Sequence, residues 1–225
     1  MQLYIGNKNY SSRSLRPWLL MTHSGIAFDE VKLRLGFDPG SEFKTRLARV
    51  NPAGKVPVLV DGDTVVWDTL AIAEYLAESF PDKPLWPADK RARARARSLC
   101  AEMHSGFQGL RGSFPMNIEA SLPEVGARVL AEHGAAEQDL ARIVGMWTTQ
   151  LGESGGPFLF GSFSIADAYY APVCSRIRTY GLPVPPAVAA YVDHVFATPA
   201  MVDWVQAALA EHDFLDFDEP YRSQR

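Results

Sequence analysis

The sequence predicts an α/β domain of order β-α-β-α-β-β-α followed by an all-helical domain. Three observations carry this reading. Over residues 1–80 short apolar runs alternate with stretches of helical period. A proline-rich segment, Phe80-Pro81-Asp82-Lys83-Pro84-Leu85-Trp86-Pro87, then breaks the pattern. Beyond it, capping signals and helical spacing recur without strand signals. The chain divides accordingly into a domain at 1–80, a linker at 81–88 and a helical domain at 89–225.

Leu3-Tyr4-Ile5 reads as the first strand, followed by a polar loop and a helix that opens on Ser11, Ser12 and Ser14 and runs to about His23. A strand running into a helix N-terminus is a ready anion site, because free N–H groups and the helix dipole point the same way. Helix capping is the plain alternative for these serines. Phe28 to Leu35 alternates as a half-buried strand, and Ser41 caps a helix through Arg49 that halts at Asn51-Pro52. The β-α-β unit implies parallel first and second strands. Val56-Pro57-Val58-Leu59-Val60 and Thr64-Val65-Val66-Trp67 flank the hairpin signal Asp61-Gly62. A proline inside that third strand cannot donate to a ladder, so a cis peptide at Val56–Pro57 is expected. Asp68-Thr69 caps the helix carrying Leu70, Ile72, Ala73, Leu76 and Ala77.

In the helical part, Asp89 starts a long helix through His104, and Ser121-Leu122-Pro123-Glu124 reads as a capping box. Leu140, Ile143, Val144, Trp147 and Leu151 mark a helix ended by Gly155-Gly156-Pro157. Ser164-Ile165-Ala166-Asp167 is a second box, and two more helices follow Pro185-Pro186 and Thr198-Pro199.

Composition narrows the function. With 225 residues, 47% hydrophobic and 21% charged, the chain is globular, and its net charge of -4 argues against nucleic-acid binding. The run from Lys90 to Arg97 spreads its arginines around a helix and reads as a solvated or subunit-facing surface. The two cysteines, Cys100 and Cys174, are far apart, and the five histidines lack ligand spacing, so no metal site is predicted. No bilayer-length apolar run and no signal-peptide plan are seen, which makes the cytoplasm the expectation.

Four motifs in order resemble the cytosolic glutathione S-transferases of the serine type, in particular the zeta class and related bacterial members. Asn51-Pro52-Ala53-Gly54-Lys55-Val56-Pro57 is similar to the family's NP-x-x-K-V/I-P segment with its cis-proline. Asp68-Thr69-Leu70-Ala71-Ile72 is similar to its glutathione motif, and Ser164 to Asp167 to the capping box of its second domain. Ser11-Ser12-Arg13-Ser14-Leu15-Arg16 resembles the Ser-Ser-Cys-x-x-Arg opening of the zeta class, with Arg13 in place of the cysteine. The resemblance implies a thioredoxin-like first domain, glutathione as co-substrate, no metal and a homodimer without nucleic-acid or membrane partners. It also implies a detoxifying transferase attacking a small hydrophobic electrophile. An isomerase of the maleylacetoacetate type and a non-catalytic binding module remain alternatives.

The residues fit that ligand. The Val56 main chain before Pro57 offers a strand edge to a cysteinyl backbone. Thr69, at a helix N-terminus, suits the γ-glutamyl carboxylate, Asp68 the ammonium and Lys55 the glycyl carboxylate. Ser11 takes the place of the family's thiolate-binding hydroxyl, with Ser12 and Tyr4 as rivals, Ser12 being the expected cap. Trp18, Met103, Phe107, Phe114 and Met116 are candidate walls for the electrophile, with core packing equally open.

Overall fold

A computed structural model describes residues 1–225. Strands β1 (Gln2–Ile5), β2 (Asp29–Lys32), β3 (Val58–Asp61) and β4 (Thr64–Val66) form one mixed sheet in the order β2-β1-β3-β4. β1 and β2 are parallel, with Leu3 opposite Glu30, and β1–β3 and β3–β4 are antiparallel. Helices α1 (Ser12–His23), α2 (Glu42–Ala48) and α3 (Thr69–Ser79) complete the predicted order. The Val56–Pro57 peptide is cis, and β3 begins only at Val58. Pro57 therefore precedes the ladder instead of interrupting it, which resolves the difficulty the sequence posed.

The rest is helical: α4 (Lys90–Ser105), α5 (Gln108–Ser113), α6 (Pro123–Glu132), α7 (Gly134–Ser154), α8 (Ile165–Tyr180), α9 (Pro186–Phe196) and α10 (Pro199–Leu209). The short α5 carries no sequence signal that singled it out. No helix is long and apolar enough to cross a membrane. The arginine run at the start of α4 is not one patch. Arg97 binds Glu74 of α3 through two nitrogens at 2.9 and 3.1 Å, and Arg93 donates to the carbonyls of Pro87 and Ala88.

The first capping box fails where the second holds. α6 starts from Leu122, not Ser121, and no side chain caps it. The Leu122 N–H is drawn to the Thr179 carbonyl at 2.6 Å, which pins that residue outside the helix and shifts the start past the box. α6 also approaches α8 so closely that a Cβ on Gly126 would lie 1.8 Å from the Tyr180 carbonyl oxygen. At α8, Ser164 and Asp167 form the reciprocal box. Asp167 is fully buried and also accepts from the Leu159 N–H at 3.0 Å and the Tyr191 hydroxyl at 3.1 Å.

A core of 48 buried residues runs without interruption from the sheet into the helices. α1 is its centre, packing on α3, α8 and α10. The linker residues Leu85 and Trp86 are buried, and the Leu85 carbonyl accepts from the Ile165 N–H at 2.9 Å. A second, smaller core of Tyr10, Leu33, Leu35, Phe43, Leu47, Val56, Val58 and Leu215 lies under the other face of the sheet.

Asp167→Ala orphans several buried donors at once, each worth about 1–3 kcal/mol. We expect a loss of about 3 kcal/mol or more in stability, read as a lower urea midpoint at an unchanged slope. A loss below about 1 kcal/mol would mean that the box is not the lock described.

Candidate active site

The β1–α1 loop is polar in sequence and buried in the fold. Asn7, Lys8, Asn9, Tyr10 and Ser11 are all at most 9% exposed. Buried polar groups need partners, and the segment after α10 supplies many of them. Asn7 Nδ2 donates to Asp213 at 3.0 Å, the Lys8 N–H to Glu211 at 2.8 Å, and the Tyr10 hydroxyl to Glu219 at 2.7 Å. Lys8 Nζ pairs with Glu30 at 2.7 Å and lies over the Trp18 ring. Burial and the Glu219 carboxylate push the Tyr10 phenol up to about 12.

This loop delivers Ser11 to the start of α1. Ser11 Oγ donates to Ser14 Oγ at 2.7 Å, and Ser14 Oγ also accepts the Gly6 N–H at 3.1 Å. The expected cap by Ser12 is absent. Ser11 is the N-terminal boundary residue, and no side chain bonds a first-turn N–H. Those donors are left facing outward with the positive end of the dipole. Tyr4, the third rival, packs beside the smaller core with its hydroxyl 3.5 Å from Gln2.

A cleft of about 430 Å³ opens here, lined by Ser11, Ser12, Arg13, Lys44, Lys55 and Val56 among others. Lys55 is exposed on its rim. The Val56 N–H and carbonyl have no partner in the chain, because β3 starts two residues later. Lys44 was not foreseen. It stands over the rings of Phe37 and Phe43 and brings a second ammonium to the cleft.

Asp68 and Thr69 lie beside the cleft and not on its wall. Asp68 accepts the Thr69 N–H and lies 3.7 Å from Arg13 and 3.9 Å from His104. Burial raises its carboxyl, but the Thr69 bonds, His104 and Arg13 together hold it below the ordinary value. The Thr69 hydroxyl pairs with the Tyr169 hydroxyl of α8 at 2.7 Å. Arg16 stacks on that same Tyr169 ring at 4.6 Å, and burial lowers its guanidinium to about 10. Burial lowers Arg111 too, and Arg176 to about 9, each feeling its neighbours' like charge. Four arginines thus converge behind and beside the cleft. Trp18, Met103, Phe107, Phe114 and Met116 are all buried in the main core, so the packing alternative wins for each.

Family models described as the glutathione S-transferase N-terminal and C-terminal domains match residues 10–79 and 90–194. A probable maleylacetoacetate isomerase of Caenorhabditis elegans is 46% identical over 69 residues, 31% of this chain and 32% of the relative. Glutathione S-transferase 1 of Dianthus caryophyllus is 31% identical over 190 residues, covering 81% of this chain and 80% of its own. The crystal structure of a maleylacetoacetate isomerase from Methylobacterium extorquens AM1, with bound malonate and glutathione, is 27% identical with a TM-score of 0.62. It covers 91% of this chain and 95% of that one. The matches span 32%, 43% and 47% of the length of the first curated relatives.

Gly6 fixes the serine pair in place. A Cβ there would meet Leu35 Cδ2 at 2.6 Å and Ser11 Cβ at 3.2 Å. Gly6→Ala should cost about 1–3 kcal/mol of stability and displace Ser11, so a thermal melt and a glutathione titration should both move. A variant as stable as the parent, binding glutathione equally well, would refute the crowding argument.

Proposed function

This chain belongs to the glutathione S-transferase family, and we propose that it activates the thiol of bound glutathione for attack on a small electrophile. The observation that carries the reading is the union, in one cleft, of a serine hydroxyl at a helix N-terminus and an unpaired main-chain edge at Val56. The edge suits the cysteinyl backbone of glutathione, and Ser11 in the same cleft supports a pose with the sulfur toward its hydroxyl. Lys55 and Lys44 offer charge to the glycyl carboxylate, and the N-terminus of α3 at Asp68 and Thr69 receives the γ-glutamyl end.

A free thiol near a pKa of about 8.5 is mostly protonated at neutral pH. A hydroxyl donor and a helix dipole together stabilise the thiolate by roughly 2–3 kcal/mol. The Ser11 proton, bonded to Ser14, turns to the sulfur when glutathione enters. Ser14 then donates its own proton to Ser11 and keeps the Gly6 N–H as its donor, so no group is orphaned. Ser11 acts by hydrogen bond and not as a nucleophile, since it bonds Ser14 and no histidine bonds it or lines the cleft to take a proton.

A second reading is isomerisation of an acidic enone by reversible thiolate addition. Arg13, Arg16, Arg111 and Arg176 favour it, because they leave an unusual excess of cationic charge around the cleft. The names of two relatives point the same way. Turnover measured over an aryl halide, a neutral enone and an acidic cis-enone separates the two reactions.

Ser11→Ala should raise the midpoint of thiolate absorbance by about one to two pH units, while Ser12→Ala leaves it in place. An unshifted midpoint in Ser11→Ala with a shifted one in Ser12→Ala transfers the role to Ser12. Lys55→Ala should raise the KM for glutathione about tenfold with little change in kcat, the mark of a contact remote from the sulfur. We further infer a cytoplasmic homodimer using the exposed Trp67 and the α3–α4 face, so light scattering at micromolar concentration should give twice the chain mass.

A further inference from the structure

The segment after α10 returns across the mouth of the cleft, and it lies beyond residue 194, where the second family match ends. It is anchored on both sides of one residue. Leu215 is plugged into the smaller core, and Phe217 meets Phe37 edge-on at 5.0 Å across the opening. Glu219 accepts from Tyr10 and from Asn117 at 2.9 Å and pairs with Arg222. Between these anchors Asp218 donates its N–H to the Leu215 carbonyl at 2.8 Å. Asp218 lines the same cleft as Ser11 and is the one acidic residue on that wall.

Asp218 forms no hydrogen bond through its side chain and no ion pair, although it is partly buried. Burial and neighbouring Glu219 raise its carboxyl, and Arg176 lowers it. A carboxylate so held has no direct partner in the protein, Arg176 acting on it only through space, so its charge also acts on whatever fills the cleft. Arg13, Lys44 and Lys55 share the wall and attract anions, and Asp218 opposes them in the same cleft that Ser11 lines.

We propose that Asp218 is a specificity-determining residue, whose carboxylate disfavours anionic electrophiles against neutral ones of the same shape. The inference rests on the glutathione reading above. Its consequence is that the extreme C-terminal segment, and not the matched domains alone, sets the charge preference of the second substrate.

Two glutathione conjugates test this, one bearing a nitrobenzyl group on sulfur and the other a carboxybenzyl group. Calorimetric Kd values are measured for the parent, D218N and D218E. D218N should improve relative binding of the carboxylated conjugate about three- to tenfold, as expected for removing one like charge several ångströms away. D218E should keep the parent ratio, since it keeps the charge. An unmoved ratio in D218N, or an equal move in D218E, overturns the proposal while normal glutathione binding leaves the underlying reading intact. Failure of glutathione itself to bind the parent overturns both.

Discussion

The structure depends on one constraint: a polar loop of six residues between β1 and α1 is buried, and its polar groups must be paired. The sheet supplies part of the answer, through the Leu35 N–H donated to Asn7 Oδ1 at 2.8 Å and the Lys8–Glu30 pair. The rest comes from Glu211, Asp213 and Glu219, some two hundred residues along the chain. Each unpaired group would cost about 1–3 kcal/mol, so the loop has this path only while the C-terminal segment is docked. The first loop and the last segment are therefore one structural unit.

That unit determines what the cleft contains. It presses Tyr10 into the smaller core with Leu215, leaves Ser11 at the rim, and brings Phe217 and Asp218 to the mouth. The same helix α1 also faces the main core, where Arg16 lies over the Tyr169 ring and Tyr169 is bonded to Thr69. The start of α3 in the sheet half is thus tied to α8 of the helical half by a buried hydroxyl pair.

The electrostatics follow from burial more than from net charge. The chain is acidic overall at -4, yet the neighbourhood of the cleft is cationic. Arg16 and Arg176 are sequestered behind aromatic rings and carbonyls, where few carboxylates reach them. A low-dielectric wall strengthens such charges, so the cleft favours an anionic ligand although the protein does not favour anions in general. Glutathione, with two carboxylates, suits such a place.

The sequence alone determined the order of elements, the parallel β1–β2 unit, the cis peptide before β3 and the box at Ser164. Those depend on neighbours within a turn or a hairpin, where periodicity and backbone chemistry leave little choice. It also marked the segments that surround the cleft, since Lys55, Val56 and Ser11 all belong to local motifs. Tertiary structure alone decided the rest. Ser121 lost its cap because Thr179 claimed the neighbouring N–H, and Trp18 and Phe114 became core because helices from both halves close over them. Ser12 does not make its expected cap, and Ser11 is bonded to Ser14, whose Oγ also accepts the Gly6 N–H. Lys44 and Asp218 joined the cleft without any signal in their own stretches. Their positions follow from contacts between residues far apart in the chain, and no local pattern encodes the path that brings such residues together.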